Sequence, residues 1–162
     1  MCSRSVFPSL LVFAILAVVA VAPASAAMQF EAVLEGAQEV PPNPSPATGI
    51  GTFTLNDAET QLSINITFSG LVAAESNAHI HGPAAPGINA GVRFGLPAGS
   101  PKITVWNIPA ADVVSLKAGL LYVNIHSTTY PGGEIRGQIL ASTPAQAVSW
   151  GRVKAFYAGH SR

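Results

Sequence analysis

A strict alternation of apolar and polar residues from Leu62 to Ser69 constrains the fold more than any other feature of the sequence. Because successive side chains of a β-strand point to opposite faces, this pattern is typical of a strand with one face on a core and the other in solvent. Other segments are rich in β-branched and aromatic residues and are bounded by Gly, Pro, Asn or Asp, which predicts further strands. These segments are residues 30–34, 50–55, 102–106, 121–126 and 134–140.

The segments between these strands predict turns rather than long helices. Residues 56–59 and 130–133 have the composition of tight turns, and the proline-rich residues 41–46 predict a stiff, extended connector. One short helix is predicted at residues 110–117, between a proline and a glycine. Short strands separated by turns, with almost no helical pattern, predict an all-β protein: an antiparallel β-sandwich or barrel with one short helix.

The first 26 residues have the three parts of a secretory signal peptide. A short segment with Arg4 precedes an uncharged, apolar run at residues 6–21, and the Ala-Ser-Ala of residues 24–26 supplies a small-residue cleavage site. An uncleaved membrane anchor is the alternative, because about 17 apolar residues approach the lower limit for a span. Polar residues soon after the Ala-rich exit favour cleavage. We therefore expect a secreted or periplasmic protein with no membrane span after cleavage.

The chain is expected to have three parts: a signal peptide at residues 1–26, a β-domain at residues 27–141 and a C-terminal extension at residues 142–162. The extension mixes aromatic and basic residues, so we expect a weakly docked last strand or a frayed end rather than a functional arm. The only cysteine, Cys2, lies in the signal peptide. The mature domain is therefore expected to have neither disulfides nor thiolate metal ligands.

The charge balance excludes two classes of function. Eight Lys and Arg stand against eight Asp and Glu, so the formal net charge is zero. A nucleic-acid binder needs a clustered basic surface, and no nucleic-acid partner is therefore expected. An acidic disordered tail is excluded as well, because 49% of the residues are hydrophobic.

Three of the four histidines are predicted to lie on outward strand faces. Residues two apart on a strand point to the same face, so His79 and His81 face outward together. The same rule applied to residues 121–126 places His126 on the outer face. The outward positions of the last predicted strand are Glu134, Arg136 and Gln138. The turn at residues 130–133 makes these two strands hairpin partners, so His126 and Glu134 are expected to be close.

Two imidazoles on one strand and a third from a neighbouring strand can hold Zn or Cu, because both ions accept neutral histidine nitrogen. The candidate metal ligands are therefore His79, His81 and His126, with Glu134 as a hydrogen-bonding partner outside the coordination sphere. Strand order decides whether the three histidines meet, and the sequence does not give it.

A structural role is the alternative for the same residues. The histidines would then hydrogen-bond loops and fix the Gly-Pro turn after His81, while Glu134 and Arg136 would form an ion pair or clamp a loop. No catalytic residue is predicted: Ser127 follows His126, but no third group stands at the spacing of a nucleophilic triad. The protein is accordingly expected not to be an enzyme, with Cu or Zn as the only cofactors considered.

Four motifs in order resemble the CHRD domain, the module named for its repeats in chordin. They are residues 39–42 (EVPP), 79–84 (HIHGPA), 122–127 (YVNIHS) and 131–138 (PGGEIRGQ), and the resemblance covers about residues 28–140. It implies a secreted or periplasmic β-sandwich and says much less about activity. The cysteine-rich domains that accompany the module in chordin are missing from this sequence, so growth-factor binding is not implied.

Two functions of different classes follow. The first is an exported, non-catalytic binding or structural module whose polar face engages an extracellular or envelope protein or a glycan. The second is a copper- or zinc-binding protein that uses the histidine cluster. The β-sandwich is expected to be an immunoglobulin-like or superoxide-dismutase-like barrel. A His-x-His strand on such a fold has a distant likeness to Cu/Zn superoxide dismutase, but a likeness of fold does not imply the same function.

Overall fold

The computed structural model describes residues 27–142, so the predicted signal peptide and the extension from residue 143 onward lie outside the described residues. The described part contains β-strands, one 3-10 turn at Gly36–Gln38 and one α-helix, α1, at Ala110–Lys117. The strands are β1 (Met28–Glu35), β2 (Thr48–Leu55), β3 (Gln61–Ser69), β4 (Glu75–His81), β5 (Val92–Gly95), β6 (Lys102–Asn107), β7 (Tyr122–Ser127), β8 (Ile135–Gln138) and β9 (Leu140–Ala141). Within residues 27–142, no helix is long and apolar enough to cross a membrane.

The strands form one antiparallel sheet with the order β5-β4-β7-β8-β1-β2-β3-β6, and β9 pairs with β1. The two ends of this order approach each other, because the rings of Phe94 in β5 and Trp106 in β6 stack with centroids 5.2 Å apart. The sheet is therefore a nearly closed barrel. This architecture confirms the predicted all-β fold with one short helix.

The core consists of the inward residues of alternating strands. In β3, Leu62, Ile64 and Ile66 are buried while the residues between them are exposed, as the alternation predicts. Beside them β2 contributes Phe53 and Leu55. Burial of about ten or more such side chains, each worth about 1.5–3 kcal/mol, supplies the main driving force for this fold.

The predicted strands and turns agree closely with the structure. The helix has the predicted bounds, and the turn after Asn56 is held by its side chain, whose Oδ1 accepts hydrogen bonds from the backbone N–H groups of Thr60 and Gln61. The predicted strand at residues 134–140 is divided into β8 and β9. The short edge strand β5 was not predicted.

One prediction about surface orientation is wrong. Glu134, Arg136 and Gln138 were expected to face solvent, yet all three are buried. Two loops cover them: residues 39–47, which follow the 3-10 turn, and residues 82–91, which follow β4. The loops also bond to each other, since Asn89 Nδ2 donates to the Val40 carbonyl at 3.1 Å. The outer face of β8 is therefore a second, polar interior.

Candidate metal centre

Strands β4 and β7 place the three predicted ligands side by side. The strands pair with His79 opposite Asn124 and with Asn77 opposite His126. The inward residues Ala78 and Ile80 are buried in the core, so the histidines lie on the outer face, as the period of two predicts. Each histidine is half-buried. One ring nitrogen from each lies within 4.8 Å of the other two, so the structure brings His79, His81 and His126 into one cluster.

Two nitrogens of the cluster, His79 Nδ1 and His126 Nε2, are 3.4 Å apart. Ligands of a tetrahedral Zn²⁺ at 2.0–2.1 Å stand about 3.4 Å from each other, so this pair already has the separation of two metal ligands. All three ligand nitrogens lie within 4.8 Å of one another, a limit wider than the separation of about 3.4 Å between two ligands of a tetrahedral ion.

Backbone carbonyls orient two of the three rings. His81 Nδ1 donates to the Ala90 carbonyl at 2.9 Å, and His126 Nδ1 donates to the Pro131 carbonyl at 2.9 Å. Because a carbonyl only accepts, the proton of each neutral ring is on Nδ1 and the lone pair is on Nε2. The Nε2 atom of His126 faces His79 Nδ1 at 3.4 Å. His81 Nε2 is buried without a hydrogen-bond partner among the described residues. Metal-binding histidines are oriented in this manner.

The surroundings of His79 and His81 favour the neutral form of the ring, which is the form that binds a metal. Burial lowers the pKa of His79 below its usual range, and the neighbouring His126 and His81 lower it further. Burial also lowers the pKa of His81, although its hydrogen bond to Ala90 acts in the opposite direction. Both rings are therefore ready to bind an ion at neutral pH without first losing a proton.

Tyr122 and Arg136 support His81 from behind. The Tyr122 ring stacks on the His81 ring with centroids 5.1 Å apart, and the Arg136 guanidinium lies 3.5 Å from the Tyr122 ring centroid. Arg136 also donates to Asn89 Oδ1 at 3.1 Å and to the Ile88 carbonyl at 2.9 Å. These bonds fix residues 82–91, the loop that presents the carbonyl to His81.

The same loop is anchored a second time at Ala90. The Ala90 N–H donates to the Tyr122 hydroxyl oxygen at 3.0 Å, on the residue that stacks against His81. The period of two that places His126 on the outer face of its strand places Tyr122 there as well. The sequence alone indicates no role for Tyr122 or Arg136 in orienting a ligand. Tyr122 and His126 of the YVNIHS motif lie on the same face of the strand, and this shared face could have indicated that Tyr122 lies near the histidines.

Glu134 was predicted to hydrogen-bond to a histidine of the cluster, but its hydrogen-bond partners are residues of two loops. Its carboxylate accepts hydrogen bonds from the Ser45 hydroxyl at 2.6 Å and from the Val72 N–H at 2.8 Å. Burial acts to raise the pKa of Glu134, but hydrogen bonds from Ser127, Ser45 and Val72 outweigh it and lower that pKa below the usual range. No described hydrogen bond joins Glu134 to a histidine. It holds loops together, which corresponds to the clamp considered as the alternative.

Glu39 is the polar residue beside the centre that the sequence did not single out as a site residue. It is buried, and Asn124 Nδ2 donates to its Oε2 at 3.3 Å. Burial raises the pKa of Glu39 to about 7, although Arg136 and Asn124 act to lower it. Because Asn124 stands directly opposite His79 on the sheet, Glu39 belongs to the polar layer next to the histidines.

Comparison with known proteins gives one match. A protein-family model described as the CHRD domain matches residues 30–139, which include the three histidines and the loops that orient them. No curated protein and no solved structure matches the chain.

Proposed function

The chain belongs to the CHRD family, and from this premise we propose that it is an exported module that binds one Cu²⁺ or Zn²⁺ ion through His79, His81 and His126. Membership of the family supports an extracellular binding or structural module. The observation that carries the proposal of a metal is the convergence of three ring nitrogens within 4.8 Å. The proposed role is binding rather than catalysis.

The orientation of His81 strengthens the proposal. A buried acceptor without a hydrogen-bond partner costs about 1–3 kcal/mol, and His81 Nε2 is such an atom. A metal ion at this nitrogen would remove that cost. Loop 82–91 holds the proton on the other nitrogen of the ring, so the unpartnered acceptor is a property of the folded structure.

The donor set favours borderline ions. Neutral imidazole suits Zn²⁺ and Cu²⁺, whereas Mg²⁺ and Ca²⁺ prefer oxygen ligands. The residues therefore fit either of the two transition metals named in the proposal. As part of the same proposal, the loaded module engages an extracellular or envelope protein or glycan.

Calorimetric titration of residues 27–162 with Cu²⁺ and Zn²⁺ tests the proposal. We expect one ion per chain, and we expect the double variant His79→Ala/His81→Ala to bind at least about 100-fold more weakly. His160, the remaining histidine, supplies the matched control, and His160→Ala is expected to bind like the parent protein. Equal affinity of the parent protein and the double variant would refute a metal centre at these residues.

Export is proposed from the signal-like residues 1–26 and has its own test. The full chain would be expressed in a secreting host and the mass of the product outside the cytoplasm measured. The expected mature protein begins at Ala27 or Met28. Retention of the complete chain in the cell membrane would instead support the uncleaved anchor.

A further inference from the structure

The protein supplies only part of a metal ion's coordination. Within residues 27–142, the cluster contains three histidines and no Asp, Glu or Cys. Closed structural zinc sites have four protein ligands, whereas sites with three protein ligands keep a position for water or another ligand. This reasoning rests on the proposed function, because it begins from an ion bound at the histidines.

Charge around the cluster selects the class of the additional ligand. Imidazoles bind metal as neutral groups, so the three ligands leave the two positive charges of the ion uncompensated. Within residues 27–142, no carboxylate converges with the three histidines, and Glu39, in the polar layer beside them, accepts from Asn124. Other carboxylates have partners of their own. Glu134 accepts from Ser45 and Val72, Glu75 pairs with Lys102, and Asp112 pairs with Arg93.

The nearest buried cation adds to the positive field. Arg136 lies behind Tyr122, which stacks on His81, and within residues 27–142 its guanidinium forms no ion pair with a carboxylate. Its hydrogen bonds go to neutral groups of loop 82–91. The two charges of a bound ion and the charge of Arg136 make the potential at the centre positive, which attracts anions.

Access to the centre is open beside His79. The residue directly opposite His79 on the edge strand β5 is Gly95. Paired residues of antiparallel strands point to the same face, so any side chain at position 95 would stand next to the His79 ring. Gly95 is exposed, and a Cβ built there meets nothing within 4 Å. This gap leaves the β5 side of His79 open to a small ligand.

We propose that the metal-loaded centre binds one small anion at its open coordination position, through the gap above Gly95. The ligand class is a compact monoanion that donates one atom to the metal, such as hydroxide, halide or a small carboxylate. The protein contributes the three imidazoles, the positive field of Arg136 and the missing side chain at position 95.

Azide is the probe for this site. The protein would be loaded with one equivalent of Cu²⁺ and titrated with sodium azide, with the azide-to-copper charge-transfer absorption as readout and sodium acetate as competitor. We expect a saturable band that metal-free protein lacks and that acetate reduces. The variant Gly95→Leu fills the gap and is expected to weaken azide binding about tenfold while leaving Cu²⁺ affinity within twofold. Gly95→Ala is the matched control, and we expect it to bind azide like the parent protein.

The possible outcomes separate the two proposals. Bound Cu²⁺ without an azide band overturns the anion site and leaves the proposed metal function intact. Equal azide binding by the parent protein and Gly95→Leu overturns the access route beside His79, provided that circular dichroism shows the variant to be folded. Failure to bind Cu²⁺ overturns the metal function and the anion site together.

Discussion

Glu39 shows how a buried polar layer changes the properties of one residue. Its carboxyl group lies beside Asn124 and close to Gly133, where a Cβ atom would stand 2.6 Å from Glu39 Oε2. The other oxygen, Oε1, is buried without a hydrogen-bond partner among the described residues. The glycine provides the space for the carboxyl group, but within residues 27–142 the hydrogen bond from Asn124 reaches only one of its two oxygens. Burial is therefore the largest cause of its raised pKa.

The raised pKa of Glu39 makes folding stability depend on pH. A carboxyl group with a pKa near 4.5 in the unfolded chain and about 7 in the folded protein binds its proton more tightly when folded. Its contribution to stability is complete below about pH 4.5 and is lost as the pH rises through about 7. A pKa difference of this size corresponds to about 3 kcal/mol.

The isosteric variant Glu39→Gln removes the titration and keeps an oxygen that can accept from Asn124. We expect Glu39→Gln to be about 1–3 kcal/mol more stable than the parent protein at pH 8 and within about 0.5 kcal/mol of it at pH 4.5. Urea unfolding of both proteins at the two pH values measures this difference. A stability difference that does not change between pH 4.5 and pH 8 would contradict the raised pKa.

The elements around the centre depend on loop 82–91, which β8 holds through Arg136. The guanidinium offers two donors in one plane, to Asn89 Oδ1 and to the Ile88 carbonyl, and its flat face lies on the Tyr122 ring. A lysine ammonium is a compact charge on a flexible stem and cannot reproduce this planar arrangement. Arg136 is therefore a positioning residue, which acts on the metal through the loop and His81.

The variant Arg136→Lys tests that role. We expect Cu²⁺ or Zn²⁺ affinity to fall about 10- to 100-fold, the usual effect of losing an outer partner of a metal ligand. We also expect the His81 ring of the metal-free variant to populate both tautomers, which nitrogen-15 NMR of the imidazole reports. Arg93→Lys, at an arginine that pairs with Asp112 instead, is the matched control. An unchanged tautomer and unchanged affinity in Arg136→Lys would remove the positioning role.

Close approach of β8 to β1 is a second property of these elements. A Cβ at Gly137 would lie 2.4 Å from the Val33 carbonyl oxygen, which is backbone and cannot move aside as a flexible side chain would. We expect Gly137→Ala to lower the free energy of unfolding by about 1–3 kcal/mol or more. Gly132→Ala is the control, because a Cβ there meets nothing within 4 Å. Thermal unfolding of the two variants measures this difference. Equal melting temperatures would show that the strands can move apart to accept the extra Cβ at little cost.

The period of each strand explains what the sequence could predict. Alternation around Ile64 identified β3, and the rule of two placed His79, His81 and His126 on the outer face of β4 and β7. Convergence of the three histidines needed the pairing of β4 with β7, which joins residues more than 40 positions apart in the sequence. Local patterns carry no information about such pairing.

Burial of the outer face of β8 was unpredictable for a related reason. A polar residue such as Gln138 indicates solvent when only its own strand is considered, yet its amide donates to the carbonyl groups of Ala84 and Gly119. These partners come from distant parts of the chain. Strand β5 was missed because its four residues, Val92–Gly95, are mostly exposed and do not alternate.

Closure of the whole barrel depends on contacts between the two ends of the sheet order. Lys102, at the start of β6, has a fully buried side chain whose Nζ donates to Glu75 in β4 and, at 2.7 Å, to the Pro97 carbonyl. The ammonium also lies 5.0 Å from the centroid of the Phe68 ring. Together with the stacking of Phe94 on Trp106, this ion pair joins the edge strand β6 to the part of the sheet that carries the metal centre.

Removal of Lys102 leaves the carboxylate of Glu75, whose side chain is only 13% exposed, without its ion-pair partner, so the loss exceeds the net contribution of the pair. We expect Lys102→Met to lower the free energy of unfolding by about 3–5 kcal/mol, measured by urea denaturation. The double variant Lys102→Met/Glu75→Gln is expected to recover part of this loss. The glutamine amide oxygen at position 75 can still accept from the Gly99 N–H, which donates to Glu75 at 2.8 Å in the parent protein.

The exposed pair Lys117–Glu59 provides the comparison. There, Lys117→Met is expected to cost about 1 kcal/mol or less. If the double variant were no more stable than Lys102→Met, an unpaired buried charge would not be the reason for the loss. The side chain of Lys102 would then stabilise the closed barrel through its packing and its bond to Pro97.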